Sequence, residues 1–318
     1  MLFEPNLHTK VWGGEQLATW KNLPHQQHIG ESWEVSAVPS APSVIANGTW
    51  AGYPLTEVVS KMPEAILGKA VAKQYQNLLP ILVKFIDAND DLSIQVHPDN
   101  AMAQREHNKM GKNEMWYILT AEPGACIYAG FQEQLTQQQY EARIKDGSII
   151  HALAKHQVKA GDVFYIPAGR VHAIGKGIQL LEVQQSSDIT YRIYDWNRVD
   201  ESGQPRELHT ALAVDAIDFE ADADLLHKPY NLGSGGEAKV IDSKFFTMTM
   251  HDVAGHKELD RSALDSFVVY IALEGSVRIT ADGAEESLAE GELVLVPAEC
   301  CDIEFEGNAK LMEIYIRE

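Results

Sequence analysis

Apolar and polar positions alternate along much of the chain with a period of two. In "LSIQVHPDN" (92–100), Ile94 and Val96 stand between Ser93, Gln95 and His97. Successive side chains of an extended strand point to opposite faces. Ser93, Gln95 and His97 therefore share one face, and Ile94 and Val96 the other. Pro98, which lacks an N–H, suits the strand's end. One face packs and the other presents polar groups to something contributed from elsewhere in the chain.

The same alternation recurs in two stretches with a common grammar, "VKAGDVFYIPAGRVHAI" (158–174) and "LAEGELVLVPAECCDIEF" (288–305). Each has a Gly-acidic pair, four strand-forming residues, Pro-Ala, a turn and a second extended run. Gly161-Asp162 matches Gly291-Glu292, and Pro167-Ala168 matches Pro297-Ala298. Upstream lie "EMWYIL" (114–119) and "FVVYIALEGSVRI" (267–279). Short strands between Gly/Pro turns point to a barrel or jelly roll, and the repeat to two related β-modules. Other segments carry helical spacing. They are "PLTEVVSKMPEAILG", where Thr56 is placed to cap a helix, "NAMAQREHNKMGK" and "TQQQYEARIKDGSIIHALAKHQ". The expected architecture is mostly β, two jelly-roll barrels with helical insertions at about 52–80, 99–112 and 136–157. The boundary falls at Gly233–Gly236, between a module spanning 1–232 and one spanning 237–318.

Composition narrows the chemistry. The 318 residues are 45% hydrophobic and 23% charged, ordinary for a globular protein with a large core. No apolar run approaches the roughly 20 residues of a membrane span. Neither a signal-peptide pattern nor a cysteine framework is visible, so a cytoplasmic protein is expected. A net charge of −20 argues against nucleic acid, whose phosphates need clustered Lys and Arg. An anionic small molecule would need local cations; Lys84, Lys112, Arg170, Arg192 and Arg198 stand near the informative stretches.

In the first module, Glu114 opens one strand and His172 follows the turn "PAGRVH". With Gln95 and His97 they form two imidazoles, one carboxylate and one amide, a set suited to zinc, manganese, iron or cobalt with water completing the shell. A lone strand histidine is more often a hydrogen-bonded core residue. The second copy tests the idea internally. There His172 corresponds to Asp302 and Glu114 to about Phe267, so the architecture persists without the ligands.

Together, "QVHP", "KNEMWYIL", "PAGRVHAIG" and "SSDITYRIYDWNR", with "VWGG" and "GESWEVS", closely resemble the short bacterial form of class I mannose-6-phosphate isomerase, a cupin-fold metalloenzyme. The resemblance runs over almost the whole chain. It implies two cupin barrels, the second degenerate, and zinc-dependent interconversion of mannose 6-phosphate and fructose 6-phosphate through a cis-enediol. It also implies one Zn2+ per chain on His97, Glu114 and His172, with Gln95 a further ligand in longer relatives, a catalytic arginine at Arg192, and site lysines at Lys112 and Lys84. Longer relatives follow the second histidine with an aromatic, as in "HAY"; this chain has "HAIG", so a tyrosine contact to sugar is not carried over.

The reaction needs a base, oxyanion stabilisation and a clamp for phosphate. Arg192 suits the enediolate charge, and Lys112 or Lys84 the phosphate or substrate oxygens. Glu31 and Asp188 stand as base or as orienting acceptors, with Lys112 or a ligand-shell histidine as further candidates for the base. Trp12 offers an apolar wall, which core packing explains nearly as well, and Ser93 shares the polar face. Two alternatives remain: an iron oxygenase on the same two-histidine, one-carboxylate set, and a non-catalytic sugar-phosphate-binding cupin. A monomer and a homodimer are both open.

Overall fold

A computed structural model describes residues 1–317 apart from 22, 25–27, 200–202, 222–225 and 234–235. The first strands in chain order are β1 (Leu7–Gly14), β2 (Ile29–Val35), β3 (Ile81–Ala88), β4 (Ile94–Val96), β5 (Glu114–Ala121) and β6 (Cys126–Phe131). They are followed by β7 (Leu153–Gln157), β8 (Val163–Ile166), β9 (His172–Ile174), β10 (Ile178–Gln185) and β11 (Tyr191–Tyr194). The C-terminal strands are β12 (Glu237–Asp242), β13 (Thr247–Asp260), β14 (Val268–Ala281), β15 (Ala284–Ala289), β16 (Leu293–Val296) and β17 (Asp302–Tyr315).

Two compact units result. One comprises Leu7–Ser32 and Val83–Lys228; the other comprises Met1–Asn6, Trp33–Leu82 and Pro229–Glu318. The units cut across the chain division expected near 232–237. The helices Leu55–Lys61, Pro63–Leu67 and Lys69–Gln74 group with the C-terminal module, not with the polar site. Of the expected Gly233–Gly236 boundary, residues 234–235 lie outside the described residues, and Gly236 N–H donates to the Gly233 carbonyl at 3.0 Å.

In the first unit, a sheet of order β1-β2-β3-β10-β5-β8 faces a second of order β11-β4-β9-β6-β7. Ile86, Trp116, Phe164 and Leu180 from the first sheet and Ile127, Ala129 and Ile174 from the second share one apolar core, as in a jelly roll. Ile94 and Val96 point the other way. They pack with Met102, Tyr140 and Ile149 from the helical insertions. Alternation along β4 thus assigns its apolar side to the helices and Gln95 to the interior.

Two local expectations change. Thr56 lies within its helix, whose N-cap is Pro54 without a side-chain cap bond. The insertion from 136 does begin as a helix, Gln137–Asp146, with Thr136 closing a capping box. It stops at Gly147, in the left-handed region at φ 76°, and 153–157 is strand β7 against β6. Ala154 and His156 are half-buried while Lys155 and Gln157 are exposed, a period-two pattern that outweighs the Ala/Lys/Gln composition.

The second unit carries a sheet of order β12-β13-β17-β14-β15, with β16 on β14. Its register aligns the two modules residue by residue. Trp116 faces Phe164, and Tyr270 faces Val294, at the same offset from the Gly-acidic pairs. Glu114 therefore corresponds to Val268, one residue beyond the expected Phe267. Asp302, the counterpart of His172, opens β17 and is exposed.

A further correspondence emerges. Glu182 faces Trp116 across β10–β5, and Glu313 faces Tyr270 across β17–β14. In each copy the aromatic donates to the buried carboxylate, Trp116 Nε1 to Glu182 at 3.1 Å and Tyr270 Oη to Glu313 at 2.8 Å. Glu313 also receives Arg261 Nε at 2.7 Å and lies 3.0 Å from His251 Nε2. Burial alone would raise the Glu313 carboxyl, but His251, Arg261 and Tyr270 outweigh it and hold the group below its ordinary value. Its stabilisation is therefore present above about pH 4.5 and lost as pH falls through the lower folded value. Glu313→Gln is expected to cost about 3 kcal/mol at pH 7 by leaving the Arg261 guanidinium without its buried carboxylate. Denaturant titration checks this, with a shallower acid loss in the variant and metal content unchanged.

Candidate metal centre

Three strands and one turn bring the polar residues together. β4 delivers Gln95 and, just past its end, His97; β5 opens with Glu114; β9 opens with His172. Gln95 and His172 are direct neighbours across β4–β9. The turn before His172 depends on Gly169, at φ 88°, whose N–H donates to the His97 carbonyl at 2.9 Å. A side chain there would be strained and would press on the Ala216 carbonyl at 3.0 Å. The second copy has Glu299 at this place.

His97, Glu114 and His172 are all buried, and one donor atom from each lies within 4.8 Å of the others. His97 Nε2 is 3.2 Å from Glu114 Oε1, and His172 Nε2 is 3.5 Å from Glu114 Oε2. Behind them, His97 Nδ1 meets the Ile189 carbonyl and His172 Nδ1 the Arg170 carbonyl, both at 2.8 Å. A carbonyl accepts only, so each Nδ1 carries the proton and each Nε2 turns a lone pair inward. Gln95 Nε2 lies 3.3 Å from His172 Nε2, and turning its amide over would present an oxygen instead. Two inward lone pairs facing a buried carboxylate fit a divalent cation.

Electrostatics agree. Burial, reinforced by the Lys112 ammonium, pushes His97 down to about 3, and burial also lowers His172. Both imidazoles are neutral near pH 7, the form that ligates metal. Burial would raise Glu114, yet the Lys112 ammonium holds it well below its ordinary value. Lys112 Nζ lies 2.5 Å from Glu114 and 3.2 Å from His97 Nε2, inside the cluster.

The other expected residues fall into distinct places. Lys84 is buried, 3.1 Å from Glu182. Burial opposes its charge, but Glu182, Glu31 and Glu114 together keep the ammonium above its ordinary value. Glu31 pairs with Lys10 at 3.2 Å, and Ser93 is buried on the polar side. Arg192 stands directly opposite Gln95 across β11–β4, and its Nη1 donates to the Glu207 carbonyl at 2.9 Å. Burial and the neighbouring Arg206 and Arg198 lower its pKa. Trp12 packs in the core between the sheets. Asp188 is exposed and pairs with Lys109 at 2.6 Å, on the surface. Arg170 is buried and reaches Asp218 at 3.2 Å.

Glu182 is the site residue that sequence reading passed over. It lies in "IQLLEVQQ", and an acid inside an otherwise packing strand was its only signal. Burial, then the charge of Glu114, pushes its carboxyl up.

Comparison with known proteins places the chain among relatives. The type I phosphomannose isomerase catalytic-domain model matches residues 1–157, and the mannose-6-phosphate isomerase cupin-domain model matches 237–316. A mannose-6-phosphate isomerase of Streptococcus mutans is 34% identical over 100% of this chain and 98% of its own. A probable mannose-6-phosphate isomerase, GmuF, of Bacillus subtilis is 35% identical over 98% of each. The crystal structure of the mannose 6-phosphate isomerase from Bacillus subtilis superposes with a TM-score of 0.89 at 30% identity over 99% of each chain.

Proposed function

Since the chain belongs to the type I mannose-6-phosphate isomerase family, we propose that it interconverts mannose 6-phosphate and fructose 6-phosphate at the His97–Glu114–His172 cluster, by proton transfer between C1 and C2 through a cis-enediol. The observation that carries this reading is one buried carboxylate between two inward-facing imidazoles, with Lys112 against it.

The ion we assign is zinc, held by His97, Glu114 and His172 with Gln95 at the edge of the set; when bound it supplies a Lewis acid for the substrate's carbonyl and hydroxyl oxygens. The remaining work belongs to side chains. Lys112 and Lys84, already within the carboxylate network, hold substrate oxygens beside the ligands. Arg192 stabilises the negative charge of the enediolate. The proton needs a group that titrates near working pH. Asp188 is exposed and committed to Lys109, and both ligand imidazoles are fixed at Nδ1 and Nε2. Glu182, buried on β10 between Lys84 and the strand that carries Glu114, is the group we assign to this task.

Metal analysis of purified protein, paired with a coupled fructose 6-phosphate assay, tests the reading. Turnover is expected to vanish with chelator and return with zinc. Binding of fructose 6-phosphate without turnover in the zinc-loaded protein would favour a sugar-phosphate-binding cupin instead. Iron dependence with oxygen uptake would favour an oxygenase.

A further inference from the structure

One histidine beside the site has no place in the scheme above. β1 alternates, so His8, Lys10 and Trp12 share a face, and Trp12 packs in the core between the sheets. His8 stands directly opposite Glu31 across β1–β2. Around it runs a row of alternating charge: Lys10 and Glu31 at 3.2 Å, then Lys84 and Glu182 at 3.1 Å. Side-chain exposure falls along the row, 30% at Lys10, 12% at Glu31, 7% at Lys84 and 5% at Glu182. The row thus leads inward from solvent toward the ligand cluster, since Lys84 also senses Glu114.

We infer that His8 is a positioning residue for the isomerisation, keeping the Glu31 carboxylate in register with Lys84 and, through it, with Glu182. This rests on the isomerase reading. The charged groups facing His8 are Lys10 on its own strand, Glu31 on β2 and Lys84 on β3. Burial, then Lys10, favours the neutral imidazole, with Glu31 opposing and Lys84 assisting. A proton on His8 adds a third cation around Glu31 and draws the carboxylate away from Lys84. Turnover then falls on the acid side while the metal ligands stay as they were.

The test uses zinc-loaded full-length protein, with metal content measured at each pH. His8→Ala is expected to lower kcat about tenfold, the scale of a small misplacement near reacting atoms, with KM within about twofold and zinc unchanged. His8→Asn keeps a hydrogen-bonding side chain that cannot titrate. It is expected to restore most of kcat at pH 7.5 and to flatten the acid limb of kcat/KM. Wild-type rates across the pH range in His8→Ala, or an unchanged acid limb in His8→Asn, would overturn the inference. A wild-type chain without isomerase turnover would overturn the reading beneath it, and is distinguished by needing no variant.

Discussion

His172→Ala is expected to lose bound metal and isomerase activity together. The imidazole is wholly buried, its Nδ1 is tied to the Arg170 carbonyl, and its Nε2 faces Glu114 and Gln95. Alanine removes one of two nitrogen donors and leaves a void that the rigid β9 strand does not refill. Loss of the Lewis acid removes several kcal/mol of transition-state stabilisation, about 4 kcal/mol or roughly 10³ in rate. The matched control lies in the second module. Asp302→Ala, at the corresponding but exposed position, is expected to change metal content and rate little. Equal losses from the two variants would contradict a single site in the first module. Metal analysis and the coupled assay on the same preparations decide it.

The second large effect is expected at Arg192. The residue pairs with Gln95 across β11–β4, and its guanidinium bonds a backbone carbonyl at Glu207. Its neighbours Arg198 and Arg206 close on Asp195 at 2.6 Å and 2.7 Å, so the Asp195 pairing survives removal of Arg192. Arg192→Ala should therefore keep the metal and lose kcat by about 10²–10³, the usual cost of deleting one preorganised charge from an anionic transition state. Metal loss in this variant would instead make the residue structural, a pillar of the β11–β4 pair. Arg192→Lys separates charge from shape, because a point charge cannot reproduce the planar fork.

Much of the site was legible because its signals are local. A two-residue spacing set Gln95 and His97 on one face, and the turn "PAGRVH" announced His172. Glu182 was not legible in the same way. One acid in "IQLLEVQQ" differs little from a surface strand residue until β10 is known to lie between β3 and β5, where Lys84 and Trp116 meet it. His8 and Lys10 were invisible for a related reason, since they matter only through the β1–β2 register that sets them beside Glu31. Asp188 is a different case. Its spacing from Arg192 suggested the site, whereas the fold turns it outward to Lys109.

By itself the sequence determined the strand alternation, the two-copy β-module and the residue types of the candidate metal cluster, because each is written in spacing and residue type within a few positions. Tertiary structure decided which distant charges share low-dielectric surroundings, hence the lowered His97, the raised Glu182 and the persistently charged Lys84. It also decided that 33–82 joins the C-terminal module and that 153–157 is strand. The reason is physical: strand pairing and charge interaction depend on distances through space, which chain separation does not encode.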